Sequence, residues 1–257
     1  MILDAVDLTL NEALALTTIA FVSGIVRGFT GIALSAVAMA TAVLFLPPVE
    51  IIPMLWWLEM AASVLMVRSG WREANRGIAL GLVLGSSFGL PLGLWLTLSL
   101  PIDVSKLVAL AIICGLAAAQ LARLRLGFLA SKPGLIGTGV TAGAVSGLAR
   151  VGGMIVALYV LALEMPARVI RASLVLFLFA TLCVSFFTHV VMGTMDATAG
   201  IRGVVFAIPT MAGVLLGKAL FVPRYEPYYK PICLGRLIAI ALAGIAREGA
   251  GLSAVTQ

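Results

Sequence analysis

Charge is scarce in this sequence: Asp, Glu, Lys and Arg supply 11% of its 257 residues, against roughly 25% in soluble domains. There is a single histidine, His189, too little for a catalytic or metal-binding cluster. The three cysteines, Cys114, Cys183 and Cys233, form no CxxC pair, which leaves metal, redox and disulfide chemistry without a framework. Their apolar surroundings assign them to buried packing. No HExxH, no GxSxG elbow and no paired carboxylates occur, which argues against an intramembrane enzyme acting on a lipid or anionic headgroup. No P-loop occurs either, so energy for any transport must come from an ion gradient or from the substrate's own gradient.

What is present is apolar. With 62% hydrophobic residues and a mean hydropathy of +1.16, this is the sequence of an integral membrane protein. At about 20 residues per helical crossing there is room for some six to eight crossings and no sizeable soluble domain. Function is therefore expected inside the membrane. The formal charge of +6 sits in short loops between apolar runs, where it sets orientation and gives no sign of nucleic-acid binding. The first residues, Met1 to Asp7, are acidic and lack the basic start of a cleaved signal peptide, so the first apolar segment is expected to remain in the protein.

One stretch interrupts the first apolar run: Ser23-Gly24-Ile25-Val26-Arg27-Gly28-Phe29-Thr30-Gly31. It returns as Ser146-Gly147-Leu148-Ala149-Arg150-Val151-Gly152-Gly153, with the two arginines 123 positions apart. An arginine at bilayer depth costs roughly 3 kcal/mol on insertion scales, so it persists where a cavity, a partner or a function compensates. Small residues let the backbone break helix and approach a ligand, and a helix starting after the break aims free N–H groups at negative charge. Arg27 and Arg150 are therefore the first candidates for anion ligands, since a guanidinium offers a fork of donors to a sulfonate or carboxylate. Ser23, Thr30 and Ser146 are candidate hydroxyl donors, and Gly24, Gly31, Gly147, Gly152 and Gly153 candidate backbone contacts. Against this stands a glycine-kinked packing motif whose arginine reaches for headgroups and whose hydroxyls bond back to their own helix.

The rest of the chain repeats its plan. Residues 10–26 and 32–46 flank the first motif and end at Pro47-Pro48; residues 135–149 and 154–163 flank the second and end before Pro166. Crossings are expected over 51–67, 77–98 and 104–122, and again over 172–192, 204–222 and 232–246. Gly81, Gly85, Gly89 and Gly93 form a small-xxx-small stripe that admits a close neighbour. Gly213 and Gly217 echo the last two at an offset of 124, close to the offset of the motif. The expected organisation is thus a first repeat over 1–122, a basic linker loop over 123–134 and a second repeat over 135–257, each repeat a broken or re-entrant helical hairpin plus three transmembrane helices.

Charge supports the hairpin. Of the 17 Lys and Arg residues, 15 lie outside the motifs. If both motif segments cross, they divide eight to seven; if the second is re-entrant, they divide twelve inside to three outside, as the positive-inside rule prefers. The count says nothing about the first segment, because no Lys or Arg precedes Arg27. One hairpin and three crossings per half would invert the halves, an arrangement suited to alternating access. Glu59 is the one carboxylate at the centre of an expected crossing, and either pairs with an arginine or carries a coupling proton. Trp56 and Trp57 read as packing residues, His189 as an ordinary hydrogen-bonded side chain, and Arg202 and Lys218 as snorkelling.

Two halves, each opening with an SGxxR-type glycine-rich break followed by a proline (Pro48, Pro166) and later by a GxxxG helix, resemble the sulfite exporter TauE/SafE family, also called the toluene-sulfonate uptake permease family. The resemblance runs over residues 17–242, and the first break departs from it, since Gly28-Phe29-Thr30-Gly31 lacks the run of glycines that Gly152-Gly153 retains. It implies a multi-pass carrier of the bacterial inner membrane, with no cofactor and no enzymatic activity. Its partners would be a small anion (sulfite, a sulfonate such as sulfoacetate, or a carboxylate), the lipid bilayer, a coupling ion, H+ or Na+, and a second copy in a homodimer. An anion channel shares the arginines and is the alternative.

Overall fold

A computed structural model describes residues 7–30, 33–70, 74–122, 124, 131–163, 167–220 and 226–255. Among the described residues every regular element is helical. In chain order they are α1 (Leu10–Thr30), α2 (Leu34–Ala42), α3 (Pro48–Gly70), α4 (Arg76–Ser99), α5 (Ile102–Leu121), α6 (Lys132–Ala149), α7 (Gly152–Ala162), α8 (Ala167–Val191), α9 (Ala197–Ala219) and α10 (Glu226–Val255). Among the described residues, six stretches are long and apolar enough to cross a membrane: Leu10–Thr30, Pro48–Leu65, Arg76–Ser99, Ile102–Leu121, Ala172–Val191 and Ala197–Ala219. The chain is a multi-pass membrane protein.

Local chemistry sets where the helices begin. Thr9 and Glu12 form a capping box at α1: the Thr9 N–H donates to Glu12 Oε2 at 2.9 Å and the Glu12 N–H to Thr9 Oγ1 at 3.3 Å. Asn75, Ser131 and Asp196 cap α4, α6 and α9 by accepting from the N–H groups of Ile78, Gly134 and Ala199. The two short helices differ. At 9 and 11 residues, α2 and α7 fall well below the ~20 needed to cross, and their N-caps, Ala33 and Val151, have no capping side chain.

α1 packs on α2 and α6 on α7, and the chain leaves α6 through the left-handed Arg150. The expected break inside the first motif is corrected, however. α1 runs unbroken through Ser23 to Thr30 and is long enough to cross by itself. Gly24 and Gly28 are spent on packing: a Cβ on Gly24 would meet the Thr210 carbonyl, and one on Gly28 the Val214 carbonyl. Gly213 and Gly217 of α9 reciprocate against Phe21 and Ile25.

The same contact is built a second time. Gly85, Gly89 and Gly93 of α4 lie against the backbone of α6, and Gly139, Gly143 and Gly147 of α6 lie against that of α4. Thr97 Oγ1 seals this joint by donating to the Gly147 carbonyl at 2.9 Å. In lipid there is little hydrophobic gain from bringing two helices together, so close backbone approach supplies the attraction. The other face of α4 carries Leu80, Leu84, Phe88, Leu92 and Trp95, all exposed, at three- and four-residue spacing, as a lipid-facing stripe should. Around these joints α3 packs on α8 and α9, α8 on α4, and α5 on α10. α2 is enclosed in the larger core, with Leu34, Met39, Ala40 and Ala42 fully buried.

Two smaller expectations are also corrected. Cys183 is exposed on α8, so it faces outward and does not pack. Arg202 does not snorkel: it is 5% exposed and is held by Glu50 at 2.6 Å and by the Asp7 carbonyl at 3.0 Å. The linker over 123–134 falls mostly outside the described residues.

Gly89→Ala places its Cβ on the Val140 carbonyl and should cost about 1–3 kcal/mol by overpacking. Gly115→Ala, in α5 with nothing near its Cβ, should cost nothing. Melting temperatures of the two variants in detergent check this, with about 2–4 °C lost per kcal/mol.

Candidate functional site

The starts of α2 and α7 meet at one cavity of about 30 Å³. α2 contributes Ser35 and Ala36 and α3 contributes Glu59. The α6–α7 segment supplies Ser146, Arg150, Val151, Gly153 and Met154, and α8 supplies Phe177, Leu178, Thr181 and Leu182. A water needs roughly 10–15 Å³, so this is space for about two waters and too little for a sulfonate.

Three features set positive potential at this cavity, beside the Glu59 carboxylate that also lines it. The first turns of α2 and α7 both line it, and neither has a side-chain cap, so their free N–H groups and the positive ends of both helix dipoles converge there. Arg150 is 9% exposed, and among the described residues its guanidinium has no hydrogen-bond or ion-pair partner. Thr181 Oγ1 is buried and likewise without a partner. Arg150 itself caps α6 in the left-handed region, at φ 60° and ψ 21°. This is an unfavourable conformation for a residue with a Cβ, and it is what turns the chain out of α6 and into α7.

Arg27 has a different environment. It is fully buried, its Nη1 lies 3.4 Å from Glu59 Oε2, and its Nη2 donates to Ser63 Oγ at 3.3 Å. Ser35 Oγ donates to the other Glu59 oxygen at 2.7 Å. Arg27 is therefore behind Glu59 and is not among the cavity-lining residues. The pairing is incomplete, because Arg27 Nε, Arg27 Nη1 and Glu59 Oε2 are buried without a hydrogen bond, so the Arg27–Glu59 contact is Coulombic.

The remaining sequence candidates divide between the cavity and the helix joints. Ser146 and Gly153 line the cavity, and Gly152 abuts Ser146 Oγ and the Ala142 carbonyl. Gly24 and Gly147 are in the two helix joints. Ser23 Oγ is buried without a partner. Thr30 Oγ1 donates back to the Val26 carbonyl at 2.9 Å, and Thr30 lines a separate cavity of about 20 Å³ with Val26, Gln120 and Cys233. Gly31 lies outside the described residues. Ser35, Ser63 and Thr181 were not foreseen; the signal for Ser35 was its place just after a break, and for Thr181 a hydroxyl within an apolar run.

Away from this cavity, at the ends of α3, α4, α8 and α9, opens a polar mouth of about 400 Å³. Asp7, Glu50, Thr194, Asp196 and Arg202 line it. α3 and α8 run from mouth to cavity: Glu50 and Pro53 border the mouth and Glu59 the cavity, while Thr194 follows the end of the helix that carries Leu182. Between them Trp56 Nε1 donates to the Leu182 carbonyl at 3.0 Å and to Ser185 Oγ at 3.1 Å, and its ring packs on Phe186 at 5.3 Å. These side chains lie along α3 and α8 between the residues that border the two spaces.

A family model described as sulfite exporter TauE/SafE matches residues 16–244, and the chain belongs to that family. No curated protein and no solved structure matches it.

Removing one member of a buried ion pair strands the other and typically costs about 3–5 kcal/mol. Arg27→Ala should therefore lower the melting temperature markedly, and adding Glu59→Gln to the same chain should restore most of the loss. A thermal denaturation series on wild type, both single variants and the double variant measures the coupling.

Proposed function

We propose that this member of the sulfite exporter family carries a small sulfur-containing or organic oxyanion, such as sulfite or sulfoacetate, with Arg150 and the uncapped starts of α2 and α7 as its seat. The observation that carries the proposal is Arg150: a buried guanidinium without a partner, at the meeting point of two helix N-termini. A preorganised arrangement of donors costs little to order when the anion arrives, and low local dielectric strengthens each contact. Ser35, Ser146 and Thr181 supply hydroxyls, and the N–H groups at Gly152 and Gly153 complete the cage.

Glu59 takes the anion's place when the site is empty. Its carboxylate accepts from Ser35 at the start of α2 and lies against Arg27. An incoming anion competes for these groups, and release of Glu59 lets Arg27 join Arg150, one guanidinium for each end of a dianion. Alternating access would follow from two inverted repeats over 1–122 and 135–257. The exchanged contacts support the duplication: α1 joins α9 as α6 joins α4, and α3 meets α9 as α8 meets α4. The inner membrane of a bacterium is the setting this reading implies. Trp56 and Phe186, between the residues that border cavity and mouth, suit a carrier better than a channel.

The test is counterflow in proteoliposomes with sulfite and with sulfoacetate. Loss of a charge-assisted partner costs about 2–5 kcal/mol when the other charge is left buried, which is a thirtyfold or greater loss of affinity. Arg150→Gln should show that loss. Arg150→Lys should recover little, because an ammonium keeps the charge and loses the fork. Arg247→Ala, on the exposed side of α10, should transport normally. Saturable counterflow distinguishes the carrier from a channel, and near-normal transport by Arg150→Gln would refute the seat.

A further inference from the structure

Among the described residues that line the cavity, Glu59 is the carboxylate and Arg150 the guanidinium. The two oxygens of Glu59 differ. Oε1 accepts from Ser35 Oγ at 2.7 Å, whereas Oε2 is buried without a hydrogen bond and has only its Coulombic contact with Arg27 Nη1 at 3.4 Å. Oε2 can therefore take a proton without breaking a hydrogen bond.

The buried charges around this space are the guanidiniums of Arg27 and Arg150 and the carboxylate of Glu59, which together come to +1. The other described ionisable groups on the helices packed against α3 are engaged or placed elsewhere. α2 has none. Arg202 on α9 holds Glu50, Lys106 on α5 holds Glu248, and His189 on α8 is bonded to Thr194 at the mouth. Glu12, Arg76, Asp103 and Lys218 lie in the end turns of α1, α4, α5 and α9, while Cys183 is exposed and Cys114 packs on the apolar core. The starts of α2 and α7 supply N–H contacts but no whole charge, since each follows closely on the negative end of α1 or α6.

A charge left uncompensated in a low-dielectric interior is costly, and a titratable group beside it changes protonation state to remove it. A monoanion on Arg150 brings the sum to zero with Glu59 ionised. A dianion overshoots by one charge, and one proton on Glu59 restores the balance.

We propose that the seat takes one net negative charge, with Glu59 Oε2 as the proton-binding atom: a monoanion enters alone, and a dianion enters together with one proton. This rests on the anion seat at Arg150 proposed above. The proton comes from bulk water and adds to an oxygen lone pair, so no other covalent bond is made or broken in the protein. Its arrival leaves the Ser35 hydrogen bond in place and ends the attraction that holds Arg27, whose Nε and Nη1 have no hydrogen bond to give up. Proton and dianion then each raise the affinity for the other by the same factor.

Sulfoacetate and sulfoacetamide are the probes, because they share a sulfonate and are nearly the same size. Between about pH 6 and 8 the first is a dianion and the second a monoanion. Sulfoacetate affinity should rise roughly tenfold for each pH unit lowered, the slope for one linked proton, and sulfoacetamide affinity should be flat. Calorimetry of wild type in two buffers of different ionisation enthalpy should find about one proton taken up per sulfoacetate and none per sulfoacetamide. In Glu59→Gln the uptake should vanish and the sulfoacetate slope flatten, whereas His189→Gln should keep both. A second measurement needs no variant and so does not depend on Glu59→Gln folding. With sulfoacetate labelled with 13C at its own carboxylate, the infrared difference spectrum of wild type should gain a protonated-carboxyl band at the unlabelled frequency. Sulfoacetate binding without proton uptake overturns the proposal. So does a band at the labelled frequency, which puts the proton on sulfoacetate, equal uptake with sulfoacetamide, or uptake that survives Glu59→Gln. Each of these leaves the anion seat standing. If neither probe nor sulfite binds wild type, the anion-carrier reading fails and the charge rule with it.

Discussion

Everything in this molecule is hung on two places where helix backbones touch through glycine. α1 lies on α9 and α4 on α6, and in each pair the Cβ-less positions of both partners face each other's carbonyls. Such contacts are the natural adhesive in a bilayer, where burying leucine against leucine gains little over burying it against lipid. Each joint ties a helix that ends before residue 122 to one that begins after residue 131. The short helices α2 and α7, too short to hold a place in the membrane by themselves, are positioned by what these joints enclose.

The charges at the centre follow from that enclosure. A buried guanidinium costs several kcal/mol unless something offsets it, and the two motif arginines meet this cost in opposite ways. Arg27, inside a continuous helix, is neutralised by Glu59 across a gap of 3.4 Å. Arg150, at a helix terminus beside two positive dipole ends, shares the cavity with Glu59 but forms no ion pair with it among the described residues. The first arrangement is a buried pair that holds α1 to α3; in the second, one carboxylate is set between two guanidiniums.

How much of this was legible in the sequence depends on what each signal encodes. The membrane class, the break at Arg150, the family and the glycine stripe of α4 were legible because composition and spacing encode them directly. That Gly24 and Gly28 pack against α9 while Gly153 borders the cavity was not legible, because glycine in a string has the same appearance whether it meets a ligand or a neighbouring carbonyl. Arg202 was misread for a related reason: its partners, Glu50 and Asp7, lie far away in the chain, and nothing local distinguishes a paired arginine from a snorkelling one. The Thr30 hydroxyl, which bonds back to its own helix, followed the blander of the two expectations for it. Ser35 and Thr181 were passed over because a lone hydroxyl in an apolar run becomes meaningful only when the fold brings it to a charge.

The left-handed backbone at Arg150 bears on how sequences of this kind diverge. A helix end with positive φ is a position that glycine or asparagine satisfies at less cost than any other residue, so drift constrained by folding alone would carry position 150 toward them. Arginine there is held against the preference of its own backbone, and only the chemistry of the side chain can hold it. Position 150 therefore separates two kinds of descendant: one that keeps arginine and with it the cavity's charge, and one that relaxes to glycine, folds somewhat better and leaves the cavity without that charge.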